Sequence, residues 1–228
     1  MRNRHDSTVS EGRRTKRTRM ARILITSGPT RQYLDPIRYL TNGSSGRMGK
    51  ALAEAALARG HDVVIISGPV VVEYPSEAEV ISIISTEDLL EVAKRLFPTC
   101  DGVIAAAAPC DYRPQRVESQ KIAKTGEPIT LHLIETPDVI ATLGRNRRSD
   151  QWMVGFALET EDQRLRALAK LECKSCDFMV LNGPEAMEAA ENSVEIIAPN
   201  GDVVEALRGS KRDVADGILR VIHHRLLR

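Results

Sequence analysis

At 228 residues the chain is long enough to bury one good core and suits a single α/β domain. No apolar run approaches the roughly 18–20 residues needed to cross a bilayer, so the sequence predicts a soluble protein without a membrane partner. The formal net charge of +1 is unevenly spread. Residues 1–19 hold seven Arg or Lys against Asp6 and Glu11, and in the remainder 25 bases face 29 acids, which argues against a nucleic-acid partner for the folded part.

Residues 1–20 form a basic leader with almost no apolar content, which predicts disorder, and it lacks the apolar core of a secretory signal. Met20 directly precedes the first strand pattern, so a flexible tail and an upstream misassigned start both remain open. Strand patterns follow at 22–26, 62–67, 79–85, 102–107, 129–134, 152–157, 178–181 and 193–197, and helical patterns at 46–59, 86–96, 137–143, 161–174 and 210–225. Thr86-Glu-Asp and Thr136-Pro-Asp read as capped helix starts. Short β-branched runs between amphipathic helices predict one α/β domain over residues 21–228. The expected architecture is a Rossmann-like three-layer sandwich with a mostly parallel sheet, binding its ligand at the carboxyl ends of the strands. Two segments interrupt the alternation, a long polar loop at 109–128 with a basic middle and a second loop at 182–192.

The four cysteines are expected to be reduced thiols. Cys173 and Cys176 have the spacing of a zinc or redox pair, yet no second pair accompanies them and they end a helical pattern, so a structural role is expected. The histidines His5, His61, His132, His223 and His224 do not cluster by spacing, and no metal-ligating residue is assigned.

The first strand pattern and the first helical pattern are joined by a stretch rich in small and polar residues, running from Asp35 to Gly49. Gly43, Gly46 and Gly49 let the backbone approach a ligand, while Ser44, Ser45 and the N–H groups of the helix's first turn suit an anion. A nucleotide or phosphorylated substrate is therefore expected. The glycine spacing is not G-x-G-x-x-G, and no acid follows the second strand pattern to take a ribose hydroxyl, which disfavours a dinucleotide site. No tyrosine is followed four residues later by lysine, so the Tyr/Lys hydride-transfer pair is absent as well. A phosphate-binding P-loop is a near miss, with Ser44 where Gly is required and Ala51 where Ser or Thr is required.

A third reading comes from resemblance. Ile25-Thr-Ser-Gly-Pro-Thr-Arg31, Leu34-Asp-Pro-Ile-Arg-Tyr39 and Asn42-Gly-Ser-Ser-Gly-Arg-Met-Gly49 resemble the opening of the phosphopantothenate–cysteine ligase family. The similarity continues through Ala105-Ala-Ala-Ala-Pro-Cys-Asp-Tyr-Arg113, Lys121-Ile-Ala-Lys124, Thr136-Pro-Asp138 and Val154-Gly-Phe-Ala-Leu-Glu-Thr160. It covers nearly the whole chain from Ala21, in order.

The resemblance implies a cytoplasmic enzyme of coenzyme A synthesis that joins 4′-phosphopantothenate to L-cysteine. The nucleoside triphosphate is CTP in most bacterial members and ATP in eukaryotic ones, and an acyl-nucleotidyl anhydride and pyrophosphate form on the way. It implies that Asn42 handles the acyl intermediate and that Lys121, on the long loop, contacts the nucleotide and closes over the reaction. The Gly28 turn with Ser44, Ser45 and Gly46 is expected to hold triphosphate oxygens. Ala106, in a small-residue strand end, admits a flat ring, and Asp111 lies near the ribose and base. Pro137, Asp138, Val139, Ile140 and Phe156 match cytidine-binding positions, and Lys170 and Lys174, one helical turn apart, can face one anion. Mg²⁺ is expected to arrive with the triphosphate. No flavin is expected, because the decarboxylase half of the bifunctional relatives has no counterpart in this stand-alone sequence, and a homodimer is implied. Gly43 stands where bacterial relatives often carry His, and Glu135 and Thr136 stand where Lys-Asn is common. Two other readings remain, an NAD(P)-dependent oxidoreductase and a non-catalytic nucleotide-binding relative.

Overall fold

The first strand, β1 (Arg22–Ser27), places Ile23, Leu24 and Ile25 at successive fully buried positions, so both of its faces need cover. That requirement puts it inside a sheet with helices on either side. A computed structural model describes residues 20–159, 161–182 and 192–227. Apart from Met20, the predicted leader lies outside the described residues, as does nearly all of the loop expected at 182–192.

After β1 come a small hairpin, β2 (Arg31–Tyr33) and β3 (Tyr39–Thr41), and then α1 (Arg47–Leu57), β4 (Asp62–Ser67), β5 (Glu79–Ser82) and α2 (Thr86–Leu96). A 3₁₀ turn at Phe97–Thr99 leads to β6 (Gly102–Ala105). Next are β7 (Tyr112–Pro114) and β8 (Leu133–Glu135), which pair only with each other, then α3 (Val139–Asn146) and β9 (Trp152–Leu158). The chain continues through α4 (Gln163–Cys173), β10 (Phe178–Asn182), β11 (Asn192–Ile197), β12 (Val203–Gly209) and α5 (Lys211–Arg225).

Eight strands form the main sheet in the order β12-β11-β10-β9-β6-β1-β4-β5. The pairs from β5 to β10 are parallel, and β11 and β12 add an antiparallel edge. Alternate residues divide two cores. Ile23, Ile25, Val63, Ile65, Ile104 and Val154 face α1 and α5. Leu24, Val64, Ile66, Val103, Met153 and Met179 face α2, α3 and α4. The three-layer α/β sandwich expected from the sequence is present.

Several expected elements differ. The strand expected at 129–134 pairs only from Leu133 to Glu135, away from the main sheet. Its alternating Ile129, Leu131 and Leu133 stay exposed because no sheet face or helix covers them. The strand expected at 79–85 stops at Ser82, since Ser85 is the N-cap of α2 and forms a capping box with Asp88. Thr86 is therefore not the cap, and α3 is capped by Asp138, which accepts from the Ala141 N–H at 2.9 Å, rather than by Thr136.

α1 lies unusually close to β1. Its N-cap, Gly46, adopts φ 75°, in the left-handed region that glycine favours. One turn on, a β-carbon added at Gly49 would lie 2.0 Å from Ser27 Oγ and 2.4 Å from Ser27 Cβ. Alanine's helix propensity is worth only about 1 kcal/mol over glycine, too little to offset displacement of α1 from the sheet. Gly49→Ala is expected to lower stability by about 1–3 kcal/mol in urea denaturation. An unchanged midpoint would show that the helix moves freely.

Candidate active site

The connections leave β1 and β6 in opposite directions across the sheet, so a crevice opens where their carboxyl ends diverge. Both ends continue as irregular backbone that stays paired. The Ala106 N–H donates to Thr26 O at 3.1 Å, the Ala107 N–H to Thr26 Oγ1 at 3.2 Å and the Ala108 N–H to Gly28 O at 2.9 Å. Beside this seam is a cavity of about 350 Å³, walled by Thr26, Ala105, Ala107, Gly155 and Phe156 from the strand ends and by Pro137 to Ile140 at the start of α3. Asp111, Glu135, Lys170 and Lys174 complete its polar wall.

Of the residues singled out in the sequence, the cavity gathers Asp111, Pro137, Asp138, Val139, Ile140, Phe156, Lys170 and Lys174. Ala106 is not in its wall, although Ala105 and Ala107 are. Gly28, Asn42, Ser44, Ser45, Gly46 and Lys121 also lie outside it. The loop before α1 is tied to the seam through Asn42, whose side-chain amide donates to Ala108 O at 3.0 Å and Pro109 O at 2.9 Å. Gly46 is steadied by Ser27, whose hydroxyl donates to Gly46 O at 3.2 Å and accepts from Tyr74 at 2.9 Å. Among the described residues, the hydroxyls of Ser44 and Ser45 make no hydrogen bond, and α1 has no side-chain cap, so its first N–H groups remain available to an anion.

Three threonines that the sequence reading did not assign to the site fix the backbone beside Asp111. The Cys110 N–H donates to Thr30 Oγ1 at 2.8 Å, Thr30 and Thr86 hydroxyls lie 2.9 Å apart, and Thr86 Oγ1 donates to Cys110 O at 3.1 Å. Each hydroxyl has a single proton, so Thr30 donates to Thr86 and the three bonds run one way round a closed ring. Thr136 Oγ1 adds a second donor to Cys110 O at 2.6 Å, and its N–H donates to Asp111 O at 2.8 Å. In the sequence Thr86 reads only as an expected helix cap. Its partners are too distant in sequence to be read from it.

The two cavity lysines are already paired. Lys170 Nζ lies 2.5 Å from Glu159 Oε1, whose side chain is buried, and Lys174 Nζ lies 3.1 Å from Asp138 Oδ2. Glu159 belongs to the Val154–Thr160 motif, which by itself assigns it no role. No group of three or more His, Cys, Asp or Glu among the described residues can hold a metal ion. Cys176 is buried, which pushes its thiol up to about 12 despite the Lys174 charge nearby, whereas Cys173 is exposed. The two do not share an environment suited to a redox pair.

Lys121 is exposed on the segment between β7 and β8 and has no ion pair among the described residues. Its neighbour Ile122 is bound to the turn at Asp35. The Ile122 N–H donates to Asp35 Oδ2 at 3.1 Å, and Arg38 Nη2 donates to Ile122 O. Burial alone would raise the Asp35 carboxyl. The N–H groups of Arg38, Ile37 and Ile122, with the Arg38 guanidinium, outweigh it and hold the group at about 2.

Replacing Thr86 with Val keeps the shape and opens the threonine ring. Thr86→Val is expected to lower stability by about 1–2 kcal/mol in urea denaturation and to weaken ligand binding in the cavity beside Asp111. Wild-type stability would show that the ring contributes nothing.

A family model described as "DNA/pantothenate metabolism flavoprotein C-terminal domain" matches residues 18–226. The coenzyme A biosynthesis bifunctional protein of Bacillus subtilis is 40% identical over 205 residues, covering 88% of this chain and 50% of that protein. The protein of the same name from Haemophilus influenzae is 36% identical over 203 residues, covering 88% and 51%. The chain thus spans about half the length of these curated relatives. A crystal structure of the C-terminal domain of a coenzyme A biosynthesis bifunctional protein superposes with a TM-score of 0.77 at 33% identity, covering 92% of this chain and 97% of that one. With its cavity at the strand ends and a match over nearly its full described length, the chain belongs to the DNA/pantothenate metabolism flavoprotein C-terminal domain family.

Proposed function

We propose that the protein is a phosphopantothenate–cysteine ligase that activates the acid with CTP or ATP and then couples it to the cysteine amine. One observation carries this reading: the cavity unites Asp111, the 137–140 segment, Phe156 and two lysines from four separate parts of the chain, beside a loop with free backbone donors. Family membership supports it. A ring bounded by Phe156, Val139 and Ile140 is suited to a nucleobase, and Asp111 stands where a ribose hydroxyl can reach it. With the nucleoside in the cavity, the triphosphate would run past Lys170 and Lys174 toward Ser44, Ser45 and the first turn of α1.

The chain's own groups would act by position and charge. Lys121, unpaired and exposed, neutralises phosphate charge as the substrate carboxylate attacks the α-phosphate and pyrophosphate leaves. Asn42, with its amide held against the seam, orients the acyl-nucleotidyl intermediate while the cysteine nitrogen displaces the nucleoside monophosphate. Lys170 and Lys174 exchange their carboxylate partners for phosphate oxygens. Mg²⁺ bound to the triphosphate would offset its remaining charge and keep several waters; among the described residues no carboxylate cage competes for it. No flavin takes part in this chemistry.

We place the protein in the cytoplasm as a homodimer. No described helix is long and apolar enough to cross a membrane. Val117, Ile129, Leu131 and Leu133 form an exposed apolar series on the β7–β8 segment that a second copy can cover.

Protein mixed with 4′-phosphopantothenate, cysteine, Mg²⁺ and CTP or ATP is expected to release pyrophosphate and form the amide. Absence of pyrophosphate with either nucleotide would remove the ligase reading. In the same preparation, a monomer mass by light scattering would remove the dimer, and flavin absorbance would contradict a flavin-free enzyme. Asn42→Asp is expected to form the acyl nucleotide at near-normal rate and to slow its capture by cysteine by about a hundredfold. Equal capture by the variant in single-turnover assays would show that Asn42 only ties the loop to the seam.

A further inference from the structure

The buried carboxylate of Asp35 touches no part of the cavity, yet it joins two segments that carry proposed active-site residues. Its acceptor sites are fully used. Oδ1 takes the N–H groups of Ile37 at 2.9 Å and Arg38 at 2.8 Å, and Oδ2 takes Arg38 Nε at 2.8 Å and the Ile122 N–H at 3.1 Å. Arg38, ion-paired with Oδ2 at 2.7 Å, also donates to Ile122 O. Both backbone groups of Ile122 are therefore held by one ion pair, directly beside Lys121.

The same turn is the base of the strand that leads to Asn42. Leu34 N–H donates to Arg38 O at 2.8 Å, closing the turn, and β3 then runs from Tyr39 to Thr41. Thr41 Oγ1 donates to Thr30 O at 2.8 Å, which fixes the end of that strand against the seam. On the other side, the Glu118 N–H donates to Leu34 O at 2.9 Å, so the segment bearing Lys121 meets the turn at residues 118 and 122. From 123 to 131 the segment is exposed and makes no recorded bond to the body among the described residues.

We propose that Asp35 is a positioning residue for nucleotide activation, holding the Lys121 segment in register with the strand that presents Asn42. It works through Ile122 and touches neither substrate nor nucleotide. Its carboxylate is fully buried, so the pair also stabilises the turn it closes. What points to placement is that both backbone groups it holds outside that turn belong to Ile122, next to an unpaired lysine. The inference rests on the ligase reading for its activity readout but not for its structural one.

Two measurements test it. The first is a mutant cycle on pyrophosphate release, using wild type, Asp35→Asn, Lys121→Gln and the double variant. Asp35→Asn alone is expected to slow activation by about tenfold to a hundredfold. In the Lys121→Gln background it is expected to cost less than about twofold, because the group it positions is already gone. Full multiplication of the two effects would overturn the proposal, since a purely structural loss acts alike in both backgrounds. The second is limited trypsin cleavage after Lys121 and Lys124 in the folded protein, checked by circular dichroism. Asp35→Asn is expected to speed cleavage there, and an unchanged rate would also overturn the proposal. If Asp35→Asn does not fold, Arg38→Lys replaces it in both measurements, because it keeps the charge beside Asp35 while removing the guanidinium bond to Ile122. A wild-type protein that releases no pyrophosphate sinks the ligase reading instead, and the cleavage result still decides the clasp.

Discussion

Backbone groups released where paired strands separate must find partners elsewhere, and in this molecule the carboxyl ends of β1 and β6 satisfy one another. The bonds from Ala106, Ala107 and Ala108 to Thr26 and Gly28 carry parallel pairing past the formal end of the sheet. Everything proposed for the site is arranged around that seam. Asn42 hangs from its outer edge, the threonine ring grips its continuation at Cys110, and the cavity lies along its other side. Small residues are required there because α1 and the 137–140 segment close in from two directions. A larger side chain at Gly49 would meet Ser27 and push α1 away from β1.

The seam also accounts for the different kinds of structure that carry the proposed binding and activation groups. Phe156, Ala105 and Gly155 belong to strands locked by parallel pairs on both sides, which suits recognition of a flat, rigid ring. Lys121 sits on a segment whose ties to the body are few, which suits the activation role proposed for it. The Asp35–Arg38 pair lies between these regimes. It fastens the exposed segment at one peptide and leaves the lysine side chain free.

The central strands and helices were legible because their chemistry is local. Successive buried residues in β1 and β4 read as strands covered on both faces, and α2 emerged with its full range because of its amphipathic period, although its cap was misplaced by one residue. β2, β3 and β7 were not legible, since each has three residues and exists through partners rather than propensity. β12 was hidden by the interleaving of Glu205 and Arg208 with its apolar residues. In the site, ordered motifs led to Asp111, Phe156 and the two lysines through resemblance. The threonine ring and the Asp35 clasp link residues up to 87 positions apart through main-chain atoms, which no side-chain pattern announces.

The lysine–carboxylate pairs at the cavity make anion binding there an exchange rather than a capture. A small solitary anion that took Lys170 would strand the buried carboxylate of Glu159 and gain only one contact in return. A nucleotide bound as proposed, with its base against Phe156, would bring anchoring energy from the ring and so favour the exchange. Asp138 is built for the same trade, because Oδ1 caps α3 at 2.9 Å while Lys174 lies nearer Oδ2, at 3.1 Å, and reaches Oδ1 only at 3.4 Å. Losing the lysine leaves the cap intact, and the pocket can change its charge partners without unwinding the helix that forms its wall.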